Sequence, residues 1–421
     1  MTARPLDPSE IYYEVVDRSW PMNAFGWLEV DGVHDAETLD RAWRDLTAQV
    51  PVMRTRLERT GPREAHFVLD DDLPPAPVRC YDSLPEALAD QTHRRFDPED
   101  AQVRCSAVVG ADATTLLLTA QHAALDGRPL AQLSLLLAGL LAGEDVGDHP
   151  LTRPTEPLSA HVLPERDWSA RRGEMLALAR AVRDEEEYVA HGKPPAWHDP
   201  SLDRDRDVQY AVLDLTPEES AALLAWSKEA GATVQGALTV ALLHTVAELT
   251  PGLTRIPFST TVDLRARAAP SAAERVGQAA AVVMASFDVT EEPAALARRA
   301  SAEVRRRVDR GEAELFVALS GVDKLPVGEA SDQVVRRWME AATPTVNLSN
   351  VGRVTGEPAT VRRLGMALAP TPNQVLFAAA TTFRGRASFT LAVDRNRVEI
   401  DLDTLTRTLH GCLTGLGGEA P

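Results

Sequence analysis

Gln121-His122-Ala123-Ala124-Leu125-Asp126-Gly127 joins two stretches of opposite character, Thr114 to Ala120 before it and Pro129 to Leu141 after it. The first is a short run of apolar and β-branched residues that reads as a strand. The second is a long apolar run that reads as a helix. The seven residues between them therefore form a strand-to-helix loop, a place where a side chain is held by rigid elements yet remains accessible. A histidine there suits general base chemistry, because its ordinary pKa of about 6.5 lies near working conditions. The acid four residues on, Asp126, need not touch the imidazole. It can instead fix the loop through an arginine, holding the His122 backbone and rotamer in place. Gly127 leaves room for close approach of backbone or substrate. His122 and Asp126 on one helical turn would also suit a metal, but Gly127 and Pro129 interrupt such a helix. The other histidines, among them His161, His191, His198 and His244, are isolated, so no metal site is expected. Taken alone, the segment fits equally well a buried histidine at a strand end, satisfied by backbone.

Outward from the loop, strands are expected at Phe25 to Val30, Val52 to Glu58 and Gln102 to Val109, the last joined to Thr114 through the turn Gly110-Ala111-Asp112. Helices are expected from Asp35 to Val50, with Ala36, Leu39, Trp43 and Leu46 on one face, and near Leu84 to Thr92. Between Asp148 and Pro200 the chain is rich in proline and charge, with one helix from Ala170 to His191, and reads as an interdomain connection. A second half opens with a strand at Gln209 to Leu213 and the helix start Thr216-Pro217-Glu218-Glu219. Helices follow to about Leu249. Strands are then expected at Arg255 to Val262, Ala280 to Val289, Thr345 to Leu348, Val375 to Thr382 and Ala387 to Asp394, and a frayed tail from Gly415.

Bulk properties narrow the function classes. The 421 residues exceed one ordinary core and imply two domains. With 44% apolar and 25% charged residues, and no long apolar run, the composition is that of a soluble globular protein without a membrane span. The N-terminal residues lack the apolar core of a secretory signal, and Cys80, Cys105 and Cys412 show neither metal nor redox spacing, which fits a cytoplasmic location. A net charge of -18 argues against nucleic acid as a partner. The one basic stretch, Pro293 to Arg310, carries Arg298, Arg299, Arg305, Arg306, Arg307 and Arg310. It has two readings: a receiver for the phosphates of coenzyme A or an acidic carrier protein, or a solvated helix face.

The loop resembles the His-His-x-x-x-Asp-Gly signature of the condensation-domain superfamily. That superfamily includes nonribosomal peptide condensation domains, polyketide-associated acyltransferases, BAHD acyltransferases and chloramphenicol acetyltransferase. The catalytic second histidine of the signature falls on His122, and Gln121 stands where the first would be. BAHD members carry out acyl transfer with His-x-x-x-Asp alone. Further matches occur in order: Pro51-Val52-Met53-Arg54-Thr55-Arg56-Leu57 near the start, the arginine-bearing strand end Val262-Asp263-Leu264-Arg265-Ala266-Arg267, and the glycine turn Val276-Gly277-Gln278. Asn347-Leu348-Ser349-Asn350-Val351-Gly352-Arg353 is similar to the family segment across the channel, and Ala379 to Asp394 to its closing strand pair. The BAHD sequence Asp-Phe-Gly-Trp-Gly is absent, which points to the bacterial polyketide-associated branch.

The resemblance implies an α/β (α+β) protein of two chloramphenicol-acetyltransferase-like domains set in a V, at 1–165 and 206–421, joined through 166–205, with the active site in the channel between them. It implies transfer of an acyl group from a thioester, acyl-coenzyme A or an acyl carrier protein, to a hydroxyl of a small-molecule acceptor. Coenzyme A or phosphopantetheine then enters as co-substrate, with no bound cofactor. In this scheme His122 is the base, Asp126 its structural anchor with Arg265 as partner ahead of Arg267, and Gly127, Ser349 and Asn350 complete the site. A donor at Ser349 or Asn350 suits an oxyanion, although for Asn350 a turn role is equally in keeping with Asn-Val-Gly. Two other functions share the fold: an amide-forming or cyclising condensation enzyme on carrier-bound substrates, and a non-catalytic partner protein.

Overall fold

The computed structural model describes residues 2–417 except 62–63, 163–172, 175, 182–193, 203–204, 269–273, 275, 320–328 and 357. The first half runs β1 (Thr2–Pro5), α1 (Pro8–Asp17), β2 (Asn23–Asp31), α2 (Ala36–Gln49), β3 (Thr55–Gly61), β4 (Glu64–Leu69), β5 (Arg79–Tyr81), α3 (Leu84–His93), β6 (Val103–Val109), β7 (Ala113–Gln121) and α4 (Gly127–Leu141). The second half begins with β8 (Val208–Asp214), α5 (Pro217–Glu229), α6 (Val234–Glu248), β9 (Arg255–Asp263) and β10 (Ala280–Asp288). It continues through α7 (Pro293–Asp309), α8 (Glu312–Leu319), α9 (Glu329–Ala341), β11 (Thr345–Val354), β12 (Val361–Leu368), β13 (Gln374–Phe383), β14 (Arg386–Asp394) and α10 (Leu402–Gly417). The class is α+β, as the resemblance implies.

The strands form a five-stranded sheet, β12-β2-β7-β6-β5, a six-stranded sheet, β10-β9-β11-β13-β14-β8, and a small sheet, β1-β4-β3. One strand changes partners across the chain. β12 comes from the second half but pairs antiparallel with β2, Gly365 opposite Trp27 and Leu368 opposite Ala24. No local signal separates a strand that returns to its own half from one that joins the other, so this exchange is invisible to periodicity.

The six-stranded sheet reads differently on its two faces. Phe258, Val346, Leu348, Leu376, Ala378 and Leu391 share a core with α6, α7 and α10. The alternate residues of β13 and β14, Phe377, Ala379 and Ala392, join the core of the first half instead. Trp27 Nε1 donates to Thr390 Oγ1 at 3.1 Å, and Phe25 meets Tyr210 edge-on, so the two sheets are tied directly. Residues of one strand alternate between faces, which is why adjacent positions serve different cores.

Several elements depart from the sequence reading. The strand expected at Val52 to Glu58 starts only at Thr55, because Pro51 opens a 3₁₀ turn through Arg54 that removes a ladder donor. Helix α1, capped by Asp7 with a reciprocal Glu10 contact and Pro8 in its first turn, was not expected, nor were β4, β12 and α10. The tail expected from Gly415 is still helical through Gly417, where Leu409, Leu413 and Leu416 pack on the core. Of the helix expected over Ala170 to His191, residues 173–174 and 176–181 are described and helical; its remainder, and more than half of the connection at 166–205, lie outside the described residues.

Candidate active site

β7 ends at Gln121 and α4 begins at Gly127, so the tight turn between them presents His122 and Asp126. Strand alternation sends Gln121 and His122 to opposite sides. The His122 N–H donates to Met22 O at 2.9 Å, and its Nδ1 lies 3.2 Å from Leu125 O. That carbonyl can only accept, so Nδ1 carries the proton and Nε2 keeps its lone pair. Tyr13 of α1 lies beside the ring, centroids 4.1 Å apart and tilted by 35°. Burial pushes the His122 pKa below its ordinary value, against the opposing charge of Asp126. The imidazole is therefore neutral through the physiological range.

Asp126 is turned away from the imidazole. Its Oδ2 accepts from Arg265 Nη1 at 2.8 Å and from the Ala279 N–H at 2.8 Å, and its Oδ1 caps α4 through the Arg128 N–H at 3.1 Å. Its own N–H donates to Gly277 O at 2.9 Å. Arg265 is equally committed, to Val276 O through Nε and Nη2, to Gly277 O through Nη2, and to Asp263 through Nη1. Burial works to lower the Arg265 pKa, but the charges of Asp126 and Asp263 outweigh it and hold the guanidinium above its usual value. Arg267 lies elsewhere, donating to Val308 O and paired with Glu314. A Cβ on Gly277 would stand 2.4 Å from Ala124 O, so only glycine lets the Val276–Gln278 turn reach the loop.

Gln121 closes the other side of the turn. Its Oε1 accepts from the Ala123 N–H at 2.7 Å, and its Nε2 faces Glu14 Oε2 at 3.4 Å. The amide thus ties the turn to itself on one side and faces α1 on the other. Glu14 is buried and paired with Arg59, and burial, partly offset by that arginine, raises its carboxyl to about 7.

His122, Asp126, Gly127, Arg265, Ser349 and Asn350 all line one cavity of about 280 Å³. A Cβ at Gly127 would come within 3.1 Å of the Val351 side chain, so α4 and β11 meet at this point. Ser349 stands beside the cavity on β11. Asn350 accepts from the Gly352 N–H at 2.9 Å, an Asx-type turn over a bulge in which Gly352 has φ of 79°. Its carbonyl oxygen therefore serves the backbone.

The sequence reading missed much of the cavity wall. Tyr12 and Tyr13 come from α1, Met366 and Leu368 from β12, and Ser259, Thr345 and Asn347 from β9 and β11. One signal was available: Thr345, Asn347 and Ser349 alternate with the apolar Val346 and Leu348, marking one polar face. The basic stretch in α7 is largely neutralised within the protein. Arg299 pairs with Glu291, Arg306 and Arg307 with Glu303, Arg310 with Glu312, and Arg298 donates to Ala230 O.

Residues 204–402 match a family model described as the C-terminus of phthiocerol/phthiodiolone dimycocerosyl transferase. The whole chain superposes on solved structures with two-lobed condensation folds. A cyclization-docking bidomain of a nonribosomal peptide synthetase from Sorangium cellulosum is 17% identical, with a TM-score of 0.68, over 100% of this chain and 86% of that one. These likenesses show the fold, that of condensation domains. Polyketide synthase associated protein 5 from Mycobacterium tuberculosis is 16% identical with a TM-score of 0.61, over 98% of this chain and 100% of that one. Trichothecene 15-O-acetyltransferase from Fusarium sporotrichioides is 12% identical with a TM-score of 0.67, over 98% and 95% of the two chains. A comparison with curated protein sequences finds no match.

Proposed function

We propose that this condensation-fold protein is an acyltransferase that moves an acyl group from a thioester of coenzyme A or an acyl carrier protein to a hydroxyl of a small-molecule acceptor. The observation that carries the reading is the state of His122. Its Nδ1–H is held by Leu125 O, its ring is neutral, and it lines a cavity large enough for a reacting group. Nε2 removes the proton from the acceptor hydroxyl as its oxygen attacks the thioester carbonyl. The C–O bond forms, the tetrahedral intermediate collapses with loss of the C–S bond, and Nε2–H returns the proton to the leaving thiolate. Asp126 and Arg265 act as positioning residues for the loop, and Ser349 is the candidate donor to the oxyanion. The similarity of residues 204–402 to a transferase family supports this chemistry over a purely structural role. In this reading 1–165 and 206–421 are the two domains, and no resident cofactor takes part.

The test is to supply the protein with acyl-coenzyme A and, separately, an acylated carrier protein, with hydroxylated and amine acceptors, and to follow thiol release together with product formation. His122→Ala should lower transfer on the order of a hundred- to ten-thousand-fold. Because burial lowers the imidazole pKa, the rate should hold as pH falls past 6.5 and decline only below it. Undiminished transfer by His122→Ala would overturn the assignment, and product formed with amines alone would move it to amide condensation.

A further inference from the structure

Polar atoms sealed inside a protein nearly always have a partner, so an exception needs a reason. Asn347, on β11, is 1% exposed. Its Nδ2 donates to Ser259 Oγ at 2.7 Å, and Ser259 Oγ lies 2.9 Å from Thr345 Oγ1. This chain of three buried side chains clamps one half of the amide. The other half, Oδ1, is buried without a hydrogen-bond partner. In register, Asn347 sits between Ser259 on β9 and Phe377 on β13. The phenyl ring gives the oxygen nothing to bond, and all three residues line the cavity that holds His122. Rotating the amide would only exchange which of its two ends is satisfied by Ser259. The unmet hydrogen-bonding capacity belongs to the cavity.

Its place along β11 sets a distance. Val351 packs on Gly127 at the loop, and Ser349 and Asn347 both line the cavity further back along β11. With a rise of about 3.3 Å per residue, Asn347 lies roughly 7 Å beyond Ser349. We propose that Asn347 is a substrate-recognition residue whose Oδ1 accepts a hydrogen bond from a hydroxyl or amide N–H of the ligand, roughly 7 Å along β11 from Ser349. The proposal rests on reading this cavity as the acyl-transfer site, because the distance is counted from Ser349. Two sources offer such a donor: a second hydroxyl on the acceptor, or an amide N–H of the pantetheine arm. A simple hydrocarbon alcohol has no such group, so either source makes the cavity selective.

Binding measured without any acyl donor keeps this question apart from turnover. The probes are 1,5-pentanediol against 1-pentanol, and coenzyme A itself, titrated by calorimetry or saturation-transfer NMR onto the parent protein, Asn347→Leu and Asn347→Asp. One neutral hydrogen bond corresponds to about a three- to tenfold difference in affinity. A diol preference of that size, lost in Asn347→Leu and kept in Asn347→Asp, assigns the contact to the acceptor. Weakened binding of coenzyme A by Asn347→Leu, with Asn347→Asp unaffected, assigns it to the pantetheine arm. The proposal fails if the parent shows no diol preference and Asn347→Leu leaves coenzyme A affinity unchanged. It fails equally if Asn347→Leu weakens 1-pentanol as much as the diol. Failure of acyl transfer with every donor would sink the proposed reaction and leave these binding results standing.

Discussion

Two buried acids flank His122, and the protein treats them in opposite ways. Asp126 is bonded to a buried arginine and to two backbone N–H groups, while Glu14 has the more exposed Arg59 and a long contact to Gln121. The first belongs to a network in which both partners have many bonds. The second has a carboxyl raised to about 7, mainly by burial. A charge can be held inside a protein when every lone pair is met, and it is poised to take up a proton when they are not. The same loop is therefore anchored on one side by a fixed charge and supported on the other by a titratable one.

The largest effect should come from breaking the fixed pair. Arg265→Ala leaves Asp126 buried against Gly277 and Ala279 without its counter-ion, and should destabilise the fold by about 3–5 kcal/mol in chemical denaturation. Asp126→Ala combined with Arg265→Ala should be destabilised by less than the sum of the two single changes, because no uncompensated charge remains. Additive losses would mean that the two side chains do not act as a unit.

Glu14→Gln should sharpen the contrast through pH. The folded pKa of Glu14 is raised to about 7 from 4.5, so its contribution to stability is full below pH 4.5 and is lost as pH rises through 7. Relative to the variant, the parent should therefore lose on the order of 3 kcal/mol between pH 4.5 and 8. Parallel stability curves for the two proteins over that range would remove Glu14 from the titratable role. The smallest effect is expected from Gln121→Ala, which leaves the buried Ala123 N–H without its acceptor and should cost about 1 kcal/mol in thermal denaturation. If that variant equals the parent in stability, the amide does not hold the turn.

Much of this molecule was legible in its sequence. The periodicities around Asp35 to Val50, Gln102 to Ala120 and Val375 to Asp394 give elements within a residue or two of those observed, because amphipathic patterns there are set by local burial. The loop from Gln121 to Gly127 was visible as a strand-to-helix junction, and Asp126 and Arg265 meet at 2.8 Å. Less visible was α1, whose residues Tyr13 and Glu14 serve the two sides of that loop. Its start at Asp7-Pro8-Ser9-Glu10 carries a capping signal, but eight of its ten residues are buried, Glu10, Glu14 and Asp17 among them, so no polar stripe marks a solvent face.

By itself, the sequence determined which short elements form and which residue types gather at the loop, since propensity, caps and turns act over a few neighbours. The tertiary structure alone decided that β12 completes the sheet of the first half, that Glu14 of α1 meets Gln121, and that Asn347 faces the cavity with an unmet oxygen. Those outcomes depend on contacts between residues more than a hundred positions apart or on which face of a sheet is covered, and neither is written in local pattern.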